Sequence, residues 1–152
     1  MTNQSRILLV DDDFTILETL ELILKEVGYL VDVAQTGKEA IEKSFSNFYN
    51  LAIVDWRLPD VEGTKLLNQF KQTTPKMMKI MLTGYPSMQN AMDSVNAQAD
   101  AFFQKPVSTE SLLEKIRTLL IQQEQSKKFD QDKVASFIQT RATELRAAQI
   151  QK

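Results

Sequence analysis

Four polar signals stand at the ends of apolar runs. Asp11-Asp12-Asp13 follows Ile7-Leu8-Leu9-Val10, Asp55 follows Leu51-Ala52-Ile53-Val54, Thr83 follows Met78–Leu82, and Lys105-Pro106 follows Ala101–Gln104. Taken singly, each has an ordinary explanation. An aspartate after a strand caps the next helix or starts a turn, and Asp13 is assigned that cap. A threonine before glycine is turn chemistry, and a lysine before proline is usually solvated. All four explanations must hold at once if no common site exists, and that coincidence favours a site. Carboxylates about 4 Å apart repel by roughly 4 kcal/mol per pair at an effective dielectric of 20. Such a cluster persists when a cation neutralises it or when its pKa values rise. The chain has neither Cys nor His, so any metal is held by oxygen, which points to Mg2+ or Mn2+. A carboxylate in that setting can attack a phosphoryl group and form an acyl phosphate. Lys105 and Thr83 supply the ammonium and hydroxyl that the developing charge needs.

The elements that position these residues are legible as short apolar runs alternating with helical patterns, the mark of βαβ units around a parallel sheet. The strand candidates are residues 7–10, 29–34, 51–54, 78–82 and 101–103; the first and third are continuously apolar and the fourth is apolar but for Lys79, as strands covered on both faces are. Helical stripes follow: Phe14, Leu17, Leu20, Leu24 and Val27 with Gly28 as a stop; Ala40, Ile41, Phe45 and Phe48 within 37–48; Leu66, Leu67 and Phe70 within 64–72; Met88, Ala91, Met92 and Val95 within 87–97; and Leu112, Leu113, Ile116, Leu119 and Leu120 within 109–121. Five such pairs predict an α/β fold, a doubly wound (βα)5 sheet with right-handed crossovers. Ligands bind such sheets beyond the carboxyl ends of the strands. All four polar signals lie there.

Composition sets the remaining bounds. The absence of Cys and His excludes disulfides, thiolate chemistry, Ser-His triads and the common zinc sites. A net charge of −2 argues against nucleic-acid binding by bulk charge. No apolar run reaches the roughly 18 residues of a membrane span, and the N-terminus has no signal-peptide pattern, so a cytoplasmic location is expected. Charge is uneven: residues 1–124 hold 12 basic and 17 acidic groups, residues 125–152 hold 6 and 3. All prolines and glycines precede residue 107. The polar stretch Gln122–Lys128 interrupts the apolar stripe and predicts a break. A second amphipathic helix is expected after it, capped by Asp130 or Asp132 and carrying Val134, Phe137, Ile138, Ala142, Leu145 and Ala148. The predicted organisation is one domain over 1–124 and a helical extension over 125–152 that links, dimerises or docks.

Two other motifs compete for the first acidic run. Leu8–Thr15 also fits the hhhDxDxT motif of haloacid-dehalogenase-like phosphatases, with Asp11 as nucleophile, and Thr83 and Lys105 imitate that superfamily's later motifs. Its late acidic pair after a further strand is missing. An EF-hand starting at Asp11 fails, because Ile16 and Leu22 stand where Gly and Glu are required.

Over about residues 5–122 the chain resembles the response-regulator receiver domains of two-component signalling. The likeness rests on Ile7–Asp13, Asp55-Trp56-Arg57-Leu58-Pro59-Asp60-Val61-Glu62-Gly63, Met81-Leu82-Thr83-Gly84-Tyr85 and Asp100–Pro106, in order and at the family's spacing. It implies that Asp55 is the phosphoacceptor, fed by the phosphohistidine of a sensor histidine kinase or phosphotransfer protein. It implies Mg2+ ligation by Asp11, Asp12, Asp55 and the Arg57 backbone carbonyl, hydrogen bonding of the phosphoryl group by Thr83, and pairing with Lys105. A cis Lys105–Pro106 peptide is implied too. Phe102 occupies the position of the switch aromatic, although an apolar strand residue is equally a core candidate. The expected output is altered binding, through the fourth helix, last strand and fifth helix, to an effector or to another copy in a homodimer. Departures from the pattern are Gln98 where Gly commonly ends the fourth helix, and Phe102 in place of Tyr. Arg57 and Tyr85 flank the site and are expected to gate water. No helix-turn-helix or catalytic domain follows, so the chain is read as a stand-alone signalling protein or as the receiver of a larger regulator.

Overall fold

The computed structural model describes residues 4–85 and 87–150, the side chain of Ile150 excepted. Residues 1–3, Pro86 and the last two residues of the predicted extension lie outside them. Strands β1 (Arg6–Val10), β2 (Leu30–Ala34), β3 (Leu51–Asp55), β4 (Met78–Thr83) and β5 (Ala101–Gln104) form one parallel sheet in the order β2-β1-β3-β4-β5. Helices α1 (Phe14–Val27), α2 (Gly37–Ser46), α3 (Gly63–Leu67), α4 (Met88–Asn96) and α5 (Thr109–Ile150) alternate with the strands. The period-2 alternation of strand side chains divides the core in two. Leu8, Val10, Ala52, Val54 and Met81 pack with Ala40, Leu66, Leu67 and Ala97 on one face. Ile7, Leu9, Ile53, Ile80 and Leu82 pack with Leu17, Leu20, Leu24, Leu112 and Ile116 on the other. Both faces are covered, as the doubly wound reading requires.

Local signals act where the sequence places them. The Asp13 carboxylate accepts from the Thr15 and Ile16 amides, and Gly28, at φ 114°, closes α1 in the left-handed conformation open to glycine. The register aligns the tips: Val10 pairs with Val54, Asp55 with Leu82, and Thr83 with Gln104. Asp11 and Asp55 therefore sit level on adjacent strands, where the strand order reverses.

Four expectations are corrected. The third helix shrinks from 64–72 to Gly63–Leu67, although Phe70 stays buried. The stripe on α4 points the other way: Met88, Met92 and Val95 are exposed, and Ser94 and Ala97 face the sheet, with the Ser94 hydroxyl returned to the Asn90 carbonyl at 2.9 Å. Phe14, Val27, Phe45 and Phe48 are also exposed, and Ser44 and Tyr49 take inner positions. Finally, no break separates the receiver from the extension. Gln122–Lys128 lies inside one 42-residue helix, and neither Asp130 nor Asp132 caps a new one. Gln, Glu and Lys are strong helix formers, and no Gly or Pro interrupts. The polar stretch marks where the helix leaves the sheet rather than where it ends. Gln98 keeps the turn after α4 without glycine, at φ 67°.

Candidate functional site

The ends of four strands, β1, β3, β4 and β5, form the site. Asp11 begins one residue after β1, and its amide is fixed to the Ala34 carbonyl at 3.1 Å. Asp55 ends β3, and the next amide, Trp56, donates to the Leu82 carbonyl at 2.7 Å. Lys105 follows β5, with its amide on the Thr83 carbonyl at 2.7 Å. The ladder thus continues one residue past each strand and aims the side chains into a common cleft of about 580 Å3, lined by Asp12, Asp55, Arg57, Thr83, Tyr85 and Lys105 among others.

The Lys105 ammonium lies 2.8 Å from Asp11 Oδ2 and 3.0 Å from Asp55 Oδ1. Asp11 Oδ1 accepts from the Asp13 amide at 2.9 Å. Oxygens of Asp11, Asp12 and Asp55 all lie within 4.8 Å of one another. Asp11 and Asp55 are buried and Asp12 is exposed, so the cluster opens to solvent on one side. Burial raises the Asp55 pKa above its ordinary value; Asp11 and Asp12 push the same way and Lys105 opposes them. Burial alone would depress the Lys105 ammonium, but its bonds to Asp11 and Asp55 outweigh that and hold it above the usual lysine value. The donor set is all oxygen, negatively charged and partly open, which fits a hard divalent cation.

Thr83 is fully buried, and its hydroxyl accepts from the Tyr85 amide at 3.0 Å. The Arg57 guanidinium stacks over the Tyr85 ring, 4.6 Å from its centroid, in cation–π contact across the mouth of the cleft. The Lys105–Pro106 peptide is cis. Phe102 is not brought into the cleft. It is half-buried against the cluster containing Met81 and Ala97.

Two supporting residues had no role in the sequence reading. A Cβ on Gly63 would stand 2.4 Å from the Asp55 carbonyl oxygen and 2.7 Å from Met81 Cε, a close approach that spacing along the chain does not signal. Asp60 accepts from the Gly37 and Lys38 amides at 2.8 and 2.9 Å, tying the loop after β3 to the start of α2. Those two bonds hold its carboxyl below the usual range. Nothing in the local sequence signals a contact between residues so far apart in the chain.

The phosphatase reading fails on the C-terminal side, where residues 109–150 form one helix and supply no further strand for the late acidic pair. The family model described as a response regulator receiver domain matches residues 7–117. Regulatory protein VanRB of Enterococcus faecalis is 36% identical over 115 residues, 76% of this chain and 52% of that protein. Response regulator ArlR of Staphylococcus saprophyticus is 33% identical over 128 residues, 83% of this chain and 57% of that protein. The chain spans about half the length of these curated relatives. A CheY-like receiver domain protein from Methanospirillum hungatei aligns with TM-score 0.78 and 47% identity, over 82% of this chain and 99% of that one. A Burkholderia pseudomallei response regulator, solved with a phosphorylated aspartic acid, calcium ion and citrate, aligns with TM-score 0.68 and 25% identity, over 84% of this chain and 75% of that one. No helix among the described residues is long and apolar enough to cross a membrane. Matching fold, matching strand-end chemistry and a family model over most of its length place this chain in the response-regulator receiver domain family of two-component signalling.

Proposed function

We propose that Asp55 is the phosphoacceptor, and that the chain catalyses its own phosphorylation and hydrolysis rather than turning over an external substrate. The observation that carries this is the sharing of one ammonium: Lys105 touches both Asp11 and Asp55, which fixes an Asp55 oxygen at the cleft with positive charge beside it. In the transfer, an Asp55 Oδ bonds to phosphorus as the bond from phosphorus to the donor imidazole nitrogen breaks, and the electron pair leaves with the imidazole. Lys105 then pairs with a phosphoryl oxygen, and the Thr83 hydroxyl exchanges the Tyr85 amide for another. Mg2+ or Mn2+, held by Asp11, Asp12, Asp55 and the Arg57 backbone carbonyl, would supply the charge that offsets both the carboxylates and the phosphoryl oxygens. The phosphorylated aspartate in the Burkholderia relative supports the same chemistry here.

The donor, a sensor histidine kinase or phosphotransfer protein, docks over the apolar groove formed by Ile16, Leu20, Ile23, Pro106 and Val107, which adjoins Lys105. Removal of Thr83 from the Tyr85 amide releases the loop after β4. That biases the face of α4, β5 and α5 between two arrangements, with Phe102 as the ring that follows. Met88, Met92 and Val95, exposed on α4, offer an effector contact there. Incubation with acetyl phosphate and Mg2+, followed by peptide mapping, tests the assignment. Label on Asp55 that disappears in Asp55→Asn is expected; label that persists in Asp55→Asn and is lost in Asp11→Asn would return the nucleophile to Asp11.

A further inference from the structure

Residues 57–62 carry the Arg57 carbonyl and leave the sheet as a loop between β3 and α3. The base of that loop is closed: the Gly63 amide donates to the Trp56 carbonyl at 2.7 Å, and Arg57 pairs with Glu62 in an isolated antiparallel bridge. Among the described residues no backbone amide donates to the Arg57 carbonyl. The tip of the loop is held elsewhere. Asp60 is exposed, yet its two oxygens accept one amide each, Gly37 at 2.8 Å and Lys38 at 2.9 Å. Those amides open α2, where no carbonyl of the helix reaches them and the helix dipole favours a negative charge. The helix does not need Asp60 to begin. Thr36 already caps it, accepting from the Glu39 amide at 3.1 Å, while the Glu39 carboxylate accepts from the Gln35 amide at 3.2 Å. The fit beside Asp60 is close as well, since a Cβ on Gly37 would run into Val61 Cγ1. Two charge-assisted bonds and a side chain seated on a glycine thus hold in one conformation a tip that would otherwise sample several.

We propose that Asp60 is a positioning residue for the metal: by pinning the loop tip to α2, it holds the Arg57 carbonyl in place for a divalent cation on Asp11, Asp12 and Asp55. This rests on the reading that the Arg57 carbonyl joins that ligand set. Asp60 is not among the residues lining the acidic cleft, so it acts through the chain rather than by contact. Only Leu58 and Pro59 separate it from Arg57. Proline fixes its own φ and restricts the residue before it, so a shift at the tip passes to Arg57 instead of being absorbed between them. The coupling is reciprocal. A cation that holds the Arg57 carbonyl also strengthens the hold of Asp60 on the start of α2.

Mn2+ titration of the full chain, with free ion counted by its electron paramagnetic resonance signal, reads the metal directly. The parent should bind the ion and Asp55→Asn should bind it much more weakly. Asp60→Ala should weaken binding about 3–10-fold, less than the roughly 10–100-fold lost where a group bonded to a ligand is removed. Two controls should keep the parent's affinity. Thr36→Ala removes a cap bond from the same helix without touching the loop, and Glu62→Gln removes a like charge from the loop at a side chain that makes no cap bond. Unchanged affinity in Asp60→Ala, with Asp55→Asn impaired, overturns the proposal and leaves the metal site standing. Equal losses in Asp60→Ala and either control overturn it too, because helix stability or bulk charge then explains the effect. A parent that binds no Mn2+, or binds it as Asp55→Asn does, removes the metal reading and the proposal with it. Should Asp60→Ala fail to fold, amide exchange in the parent decides: Mg2+ should slow Gly37 and Lys38, and exchange there that ignores Mg2+ overturns the proposal.

Discussion

Lys105 is one cation among three carboxylates, two of them buried. At neutral pH without metal, that surplus of negative charge works against the fold, and the pKa of Asp55, raised first by burial, is pushed further the same way by Asp11 and Asp12. Asp55→Asn removes the worst-placed charge and leaves Lys105 its bond to Asp11. The variant is expected to unfold at a higher temperature than the parent in metal-free buffer. The gain is on the order of 1 kcal/mol, because about 4 kcal/mol of repulsion per pair is largely offset by the lost Lys105 attraction. Mg2+ should then stabilise the parent more than the variant; equal Mg2+ shifts in calorimetry would argue against metal at this cluster. Gly63 acts through space rather than charge. Its substitution by alanine forces a methyl into the Asp55 carbonyl, where strand backbone does not yield, at about 1–3 kcal/mol. Denaturant titration should register that loss, with slower labelling of Asp55.

Among the elements, the sequence was legible wherever one physical rule acted alone. The central strands β1 and β3 read as unbroken apolar runs over residues 7–10 and 51–54, and Asp13 and Gly28 bound α1 through local hydrogen bonding and backbone freedom. The polar ends of β1, β3, β4 and β5 were readable as a site because charge clustering is costly wherever it occurs. Legibility failed where tertiary context reversed a local pattern. On α4 close approach to the sheet selects Ser94 and Ala97, so the apolar stripe faces outward; amphipathicity alone cannot tell a core face from a partner face. The loop contact of Asp60 with α2 was invisible for the same reason. Asp60→Ala tests it through pH. A carboxyl held below 3.8 in the folded state contributes stability that is complete above that value and fades as pH falls through the lower, folded-state one. The difference in denaturant midpoint between parent and variant should thus be constant near neutrality and close in acid. Gln98 offers the opposite sign: its left-handed backbone disfavours any side chain with a Cβ, and Gln98→Gly should stabilise by about 0.5–1 kcal/mol.

At the scale of the whole molecule, the long helix must be fastened to the receiver if events in the acidic cleft are to reach its far end. Gln123 is the last buried residue of α5 among the described residues, and its side-chain amide donates to the Asn50 and Lys76 carbonyls at 2.9 and 2.7 Å while accepting from Asn50 Nδ2 at 3.1 Å. Asn50 in turn binds the Arg6 amide through its side chain at 2.9 Å, and its carbonyl accepts from the Met78 amide at 2.9 Å. One glutamine therefore ties the helix to the starts of β1, β3 and β4 together. Gln123→Leu keeps bulk and helix propensity but strands those partners away from water, at about 1–3 kcal/mol. Because the bonds span three strands, the loss should not be confined to the helix end. Amide exchange is expected to quicken at Asn50, Met78 and residues 119–127 together, whereas the acidic cleft keeps its Mg2+ response. Faster exchange limited to residues 124–150 would mean that the helix frays independently and that Gln123 is no anchor.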